Sequence, residues 1–283
     1  MMYGATHTTT YLYSRPVTLC HTELRLKPRG DGNQRVLEHQ LSIRPEPEET
    51  FEHRDYFGNQ VTYFSLQEPH QTLTIIATSM IEKEYSDPFE PSLTPVWEEA
   101  LYVAGKGAAQ RLDDYEFTFE SPRIVLGPEF RAYALPSFSP GRPLLEATLD
   151  LCHRIHTEFK YDRRATTVST PVTEVLQSRS GVCQDFAHFM IACLRSLGLS
   201  ARYVSGYLRS SDLVGGEASH AWVSVFCPGI GWLDLDPTND QLVNGNHVTL
   251  AWGRDYSDVA PVNGVALGGG EHVVNVSVAV APV

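Results

Sequence analysis

Basic residues are scarce in this chain. Its 283 residues carry 22 Lys and Arg against 34 Asp and Glu, a formal net charge of −12. That balance speaks against nucleic acid or an anionic membrane surface as a main partner, because both are read through clustered cations. It is compatible with a basic or neutral protein substrate, and solubility explains it equally well. No run of about 18 apolar residues is present, so the sequence offers no membrane-span candidate. The start, Met1-Met2-Tyr3-Gly4-Ala5-Thr6-His7, lacks the basic and apolar regions of a secretory signal. Cysteine is sparse as well: Cys20, Cys152, Cys183, Cys193 and Cys227 form an odd set with no framework spacing. They read as free thiols in a reducing compartment, which predicts a cytoplasmic protein. Gly268-Gly269-Gly270 has no following helix and no Lys-Ser/Thr pair, so it is no phosphate loop.

What remains is globular. Hydrophobic residues make up 42% and charged residues 20%, and the length suggests about two domains. From Tyr11 to about Ile81 short runs of partly alternating residues suggest strands, with a hairpin about Gly58-Asn59. No long helix intervenes, so a β-sandwich-like module is expected over 1–90. The three prolines between Tyr85 and Pro95 mark a linker, and Val96 to Asp114 is a weak helix interrupted by Gly105 and Gly107. Leu144, Ala147, Leu151, Ile155 and Phe159 keep helical spacing after Pro143. Cys152, His153 and His156 on that helix lack further ligands at metal-site spacing, so neither metal nor cofactor is expected.

The organising stretch is Gly181-Val182-Cys183-Gln184-Asp185-Phe186-Ala187-His188. From Cys183 the apolar positions Phe186, Ala187, Met190, Ile191, Leu194 and Leu197 form one stripe, and Gly198 follows at the stop position. Cys183 therefore opens a buried helix, near unpaired N–H groups and the positive end of the dipole. A thiol in that setting is favoured as the nucleophilic thiolate. Asp185 caps or charges the first turn. His188 lies five residues on, about 140° around the helix, and points away from Cys183. Ala201–Leu208 is a strand. His220 begins another, and Trp232–Leu235 a third, around the turn Pro228-Gly229-Ile230-Gly231. If the last two form a hairpin, residues whose numbers sum to about 458 pair, which brings His220 and Asp236 together at its open end. A carboxylate beside an imidazole is the arrangement that orients a base. Each residue alone has an ordinary explanation: a small core residue, a satisfied polar group, a turn opening. Their conjunction in this order does not.

The wording of these segments, with His220-Ala221-Trp222-Val223 and Gly231 to Asn239, resembles the transglutaminase-like superfamily of cysteine enzymes. Within it, the chain is most similar to the bacterial branch with an amino-terminal β-domain. Asp55 to Asn59 and Gly253 to Val259 extend the resemblance over most of the chain. It implies Cys183 as nucleophile, His220 as base and Asp236, the aspartate before Pro-Thr, as orienter. It implies an α+β fold: a papain/transglutaminase-like core, in which the helix bearing the cysteine packs on an antiparallel sheet, behind the amino-terminal module. The catalytic region would span 91–283, with its core at about 143–240 and carboxy-terminal strands at 241–283. The reaction expected is acyl transfer through a thioester on a protein or peptide substrate, foremost as a protease or amidase. A cross-linking transglutaminase is the alternative, although no Asp-rich calcium loop is present. A binding module that kept the fold is the alternative from another class. Arylamine acetyl transfer lacks its Arg-Gly-Gly wording before the cysteine, and a zinc-supported glycan amidase lacks any Cys-x-x-Cys pair. Nothing in the sequence sets the oligomeric state, the second oxyanion donor or the substrate.

Overall fold

A computed structural model describes residues 1–30, 32–84, 89–106, 112–209, 213–215 and 218–283. Part of the expected linker, Tyr85–Pro88, and the residues 107–111 of the weak-helix region lie outside the described residues.

Five strands open the chain: β1 (Met2–Leu24), β2 (Gln34–Arg44), β3 (Glu49–Arg54), β4 (Gln60–Leu66) and β5 (His70–Lys83). The first begins well before Tyr11 and is far longer than the short runs expected there, because Thr8-Thr9-Thr10 and the tyrosines beyond it continue the extended backbone. β1 is the spine of a seven-stranded sheet ordered β2-β5-β1-β4-β3. Its first half pairs with β5 and its second half with β4. The two halves of this one sheet pack together over Val17, Cys20, Leu24, Ile43, Phe64, Leu66, Leu73 and Ile75, which gives the module its sandwich-like core.

The chain then turns helical, with α1 (Trp97–Lys106), α2 (Leu112–Tyr115), α3 (Pro128–Ala134) and α4 (Leu144–Glu158). Lys160–Tyr161 (β6) and Ser180–Gly181 (β7) form a short parallel pair around α5 (Val172–Ser178). The cysteine helix α6 spans Cys183–Ser196, and Gly198 beyond it takes φ 91°, the left-handed turn that glycine adopts without strain. Strands β8 (Ala201–Leu208), β9 (His220–Cys227), β10 (Gly231–Asp236), β11 (Gln241–Leu242) and β12 (His247–Gly253) form a five-stranded sheet ordered β11-β10-β9-β8-β12. The β9–β10 hairpin pairs Gly231 with Cys227 and Leu235 with Val223, so each pair sums to 458. The core joins α4 and α6 to the sheet through Leu151, Ile155, Phe189, Met190, Leu194, Val223 and Val225.

After α7 (Tyr256–Val259) come β13 (Val262–Gly268) and β14 (His272–Pro282). Residues 262–282, grouped with the catalytic region on sequence, hydrogen-bond along β1 of the amino-terminal sheet. The Val274–Val280 alternation sets a face but names no pairing partner. Packing decides it: β14 lays Val278 and Val280 beside the catalytic core. Two side-chain amides clamp the amino-terminal module to β12. Gln34 exchanges hydrogen bonds with both backbone groups of Thr249, at 2.8 and 2.9 Å, and Asn59 does the same with Trp252 at 2.8 and 3.0 Å. Each amide imitates one rung of a ladder on an edge strand that would otherwise be open.

Candidate active site

The helix start is built by Asp185. Its carboxylate accepts the Val182 N–H at 2.8 Å and the Thr166 hydroxyl at 2.6 Å. Gly181 is needed for room, since its φ is not positive and a Cβ there would lie 2.6 Å from Asp185 Oδ2. Cys183 is half-buried at the first helical position, whereas the other four cysteines are buried. Three phenols, Tyr161, Tyr203 and Tyr256, stand close enough for a charge on Cys183 to act on each of them. Burial is the main cause that pushes all three up, so they stay protonated donors.

His220 is 1% exposed and its Nε2 lies 2.8 Å from Asp236 Oδ2. Its Nδ1 is buried without a hydrogen-bond partner of good geometry, and Cys183 acts on the ring both as a charge and as a weak hydrogen-bonding group. Burial alone would lower the His220 pKa. Asp236 and Cys183 outweigh burial and raise it, so the imidazolium persists at neutral pH. Gly215 packs on the same edge of the ring, where a Cβ would meet Nδ1 at 2.6 Å.

Asp236 is fully buried, and every lone pair has work. Oδ1 accepts the N–H groups of Thr238 and Asn239 at 3.0 and 3.3 Å. Oδ2 faces His220, the Asn239 amide at 2.8 Å and His247 Nε2 at 3.2 Å. Burial opposes the charge, but the His220 imidazolium and these donors hold the carboxyl well below the usual range. His247 on β12 is buried, and its Nδ1 accepts the Asn244 N–H at 3.3 Å. Its proton therefore sits on Nε2, facing Asp236, and burial lowers its pKa so that it stays neutral. Asn239 also exchanges two hydrogen bonds with the Val214 backbone, at 2.9 and 3.3 Å. Beneath the turn, α4 supplies His153, 2.7 Å from Asp240, and His156, 2.9 Å from the Thr238 carbonyl. These histidines pin the turn that carries Asp236.

The structure thus brings Cys183, His220 and Asp236 together. His188 instead accepts the Tyr256 N–H at 3.1 Å and packs against the Tyr203 ring. Sequence reasoning missed His247, Asn239 and the three tyrosines. His247 opens a strand after a polar loop, as many histidines do, and only the β8–β12 pairing carries it to Asp236. Asn239 stands next to Asp-Pro-Thr and is the one with a local signal. Among the described residues no group of three or more His, Cys, Asp or Glu side chains could hold a metal ion.

Two family models match the chain: the bacterial transglutaminase-like N-terminal region over residues 3–82 and the transglutaminase-like superfamily over 132–237. A Mycobacterium tuberculosis protein of uncharacterised function is 43% identical over 295 residues, which cover 99% of this chain and 92% of that one. The chain belongs to the transglutaminase-like superfamily, whose members are in general cysteine enzymes. A protein-glutamine gamma-glutamyltransferase of Pseudomonas aeruginosa is 28% identical over 152 residues, 44% of this chain and 23% of that one. A solved structure of a candidate cysteine protease from Cytophaga hutchinsonii has the same fold, with a TM-score of 0.77 at 23% identity over 99% of this chain and 90% of that one. Among the described residues no helix is long and apolar enough to cross a membrane.

Proposed function

We propose that the protein is a cysteine hydrolase that cleaves peptide or side-chain amides through a thioester. Cys183 is the nucleophile, His220 the base and acid, and Asp236 the orienter. The observation that carries this reading is the buried His220–Asp236 pair at 2.8 Å, which leaves Nδ1 for the cysteine at the helix start. A carboxylate on Nε2 fixes the tautomer and stabilises the imidazolium.

The Cys183 thiolate attacks the substrate carbonyl, forming a C–S bond and an oxyanion. The Cys183 N–H at the helix start is one donor to that oxygen. One of the three phenols would supply the second. His220 Nδ1–H passes its proton to the leaving nitrogen as the C–N bond breaks. Water then attacks the thioester, His220 takes its proton, and the thiolate leaves with the acid product released. The substrate is a protein or peptide rather than nucleic acid or a membrane lipid. Five unpaired cysteines favour a cytoplasmic setting.

The second reading is transfer of the same thioester to an amine, as the name of the Pseudomonas aeruginosa relative states for that protein. One experiment tests both. Iodoacetamide is titrated across pH, the labelled cysteine is identified by mass spectrometry, and wild type and Cys183→Ala are incubated with casein and a fluorescent amine. Rapid labelling of Cys183 below about pH 7, well under a free thiol's range, with new amino termini in wild type alone, supports hydrolysis. Amine incorporation without cleavage supports cross-linking. Labelling of Cys183 no faster than that of the other four cysteines leaves only the binding-module reading.

A further inference from the structure

Strands β1 and β14 present one shared face that begins buried and ends in the open. Directly opposed pairs along it are His7 with Val278, Thr9 with Val276, Tyr11 with Val274 and Tyr13 with His272. Opposed residues point to the same side of a sheet. His7 and Val278 are buried, and His7 Nδ1 lies 3.0 Å from the Tyr207 hydroxyl of β8. Farther along, Val276 is 43% and Val274 41% exposed. The face runs off the catalytic sheet and keeps its apolar character where water reaches it.

That open end borders the nucleophile. β1 crosses β8 in the opposite direction, since the Arg209 guanidinium lies 5.5 Å over the Tyr3 ring and His7 meets Tyr207. Tyr11 therefore follows toward Tyr203, whose ring is 6.3 Å from that of Tyr256. Burial first, then Tyr13 and Tyr256, push the Tyr11 phenol up to about 12, so Tyr256 stands close to it. Tyr203 and Tyr256 in turn stand close enough to Cys183 to feel its charge.

Beside Tyr11 the amino-terminal sheet folds around a pocket of about 340 Å³. That volume is at the lower end of the range for ligand pockets and suits one large side chain. Tyr11, Tyr13 and His272 form an aromatic wall. The two tyrosines stack with centroids 6.0 Å apart and planes 10° from parallel, and His272 lies 6.3 and 6.0 Å from them. Leu73, Val262 and Ala266 add apolar surface. Among the described residues no Asp, Glu, Lys or Arg lines the pocket, and Arg15, which passes beside Gly270, is exposed outside it. Such a pocket favours an apolar side chain and leaves the charge of an acidic or basic one unpaired.

We propose that this pocket is a substrate subsite, through which the amino-terminal module selects peptides that carry a large apolar side chain a few residues from the bond Cys183 attacks. The proposal rests on the reading of Cys183 as the nucleophile and adds what the triad alone does not supply, a preference among peptides. An extended peptide leaving Cys183 past Tyr256 meets Tyr11 and Val274 next, and the pocket lies beside them.

The test uses iodoacetyl peptides, in which a glycine spacer of one to four residues separates the reactive carbon from Phe, Glu or Gly. They are reacted with the full chain at about pH 9, where an ordinary thiol is largely ionised, so labelling of Cys183 does not require the triad. The thiolate forms a C–S bond and iodide leaves. Each rate at Cys183, followed by mass spectrometry, is divided by that of iodoacetamide on the same protein. At one spacer length or more, the Phe probe should exceed both the Glu and the Gly probe by about tenfold, the gain from burying one large apolar side chain. Ala266→Trp fills the pocket from its exposed rim, and Val274→Asp places a charge opposite Tyr11. Both should bring the Phe probe down to the rate of the Gly probe. The subsite is refuted if the Phe probe matches the Glu or the Gly probe at every spacer length, or if either variant keeps the wild-type ratio. The nucleophile itself is judged by iodoacetamide alone below about pH 7, so the failure of one reading is distinct from the failure of the other.

Discussion

Replacing Asp236 with asparagine tests the centre of the site, because the substitution keeps the shape and removes only the charge. In the native protein burial presses the His220 pKa downward, and Asp236 leads the groups that overcome it. Without the carboxylate charge, burial wins and His220 becomes neutral at pH 7. The Cys183 proton then has no imidazole to hold it as an ion pair. Loss of that charged partner should slow alkylation of Cys183 by roughly tenfold or more. The asparagine amide also cannot satisfy its surroundings. Whichever way it is turned, its NH₂ faces donors: His220, Asn239 and His247 on one side, the Thr238 and Asn239 N–H groups on the other. Breaking a buried ion pair at one partner costs about 3–5 kcal/mol of fold stability. The assay is iodoacetamide alkylation of Cys183 from pH 5 to 10, with urea unfolding in parallel to count folded protein. An unchanged alkylation profile in folded Asp236→Asn protein would refute the coupling and leave Asp236 a purely structural turn residue.

His247→Leu removes the donor opposite Asp236 Oδ2 and should cost about 1.5–3 kcal/mol in urea unfolding, the range for a hydrogen bond to a charged group. Gln at the same position can present an N–H and should recover most of that, and a Leu variant as stable as wild type would remove His247 from the network. Gly206 pairs with His220, and a Cβ there would lie 2.2 Å from the Val248 carbonyl and 2.3 Å from the Trp222 ring. Gly206→Ala should therefore lose about 3 kcal/mol or more and lower Tm by roughly 5–10 °C in calorimetry, whereas an unshifted Tm would mean the ring moves freely. The two titrations bound stability from both sides. Asp236 is depressed, so its contribution is present above about pH 4 and is lost as pH falls further below that. His220 is raised to about 10, so its contribution is complete below about pH 6.5 and disappears as pH rises through 10. Urea midpoints should fall at both extremes, and Asp236→Asn should flatten both limbs.

The sequence by itself determined the helix that begins at Cys183, the hairpin register that joins His220 to Asp236, and the strand-rich amino-terminal module. These features are local. Helical spacing from Phe186 to Leu197, a stop at Gly198 and one short turn at Pro228–Gly231 decide them within a few residues. Tertiary structure decided what depends on contacts distant in sequence. His247 reaches Asp236 only because β12 pairs with β8, and no spacing rule links a histidine to a strand 40 residues earlier. β13 and β14 join β1 because the edge beside it was open, although the residues between them carry no sign of that partner. Asp236 reads in the sequence as the opening of a turn and becomes a fully buried charge only in the packed molecule, since burial is a property of the fold and not of the residue.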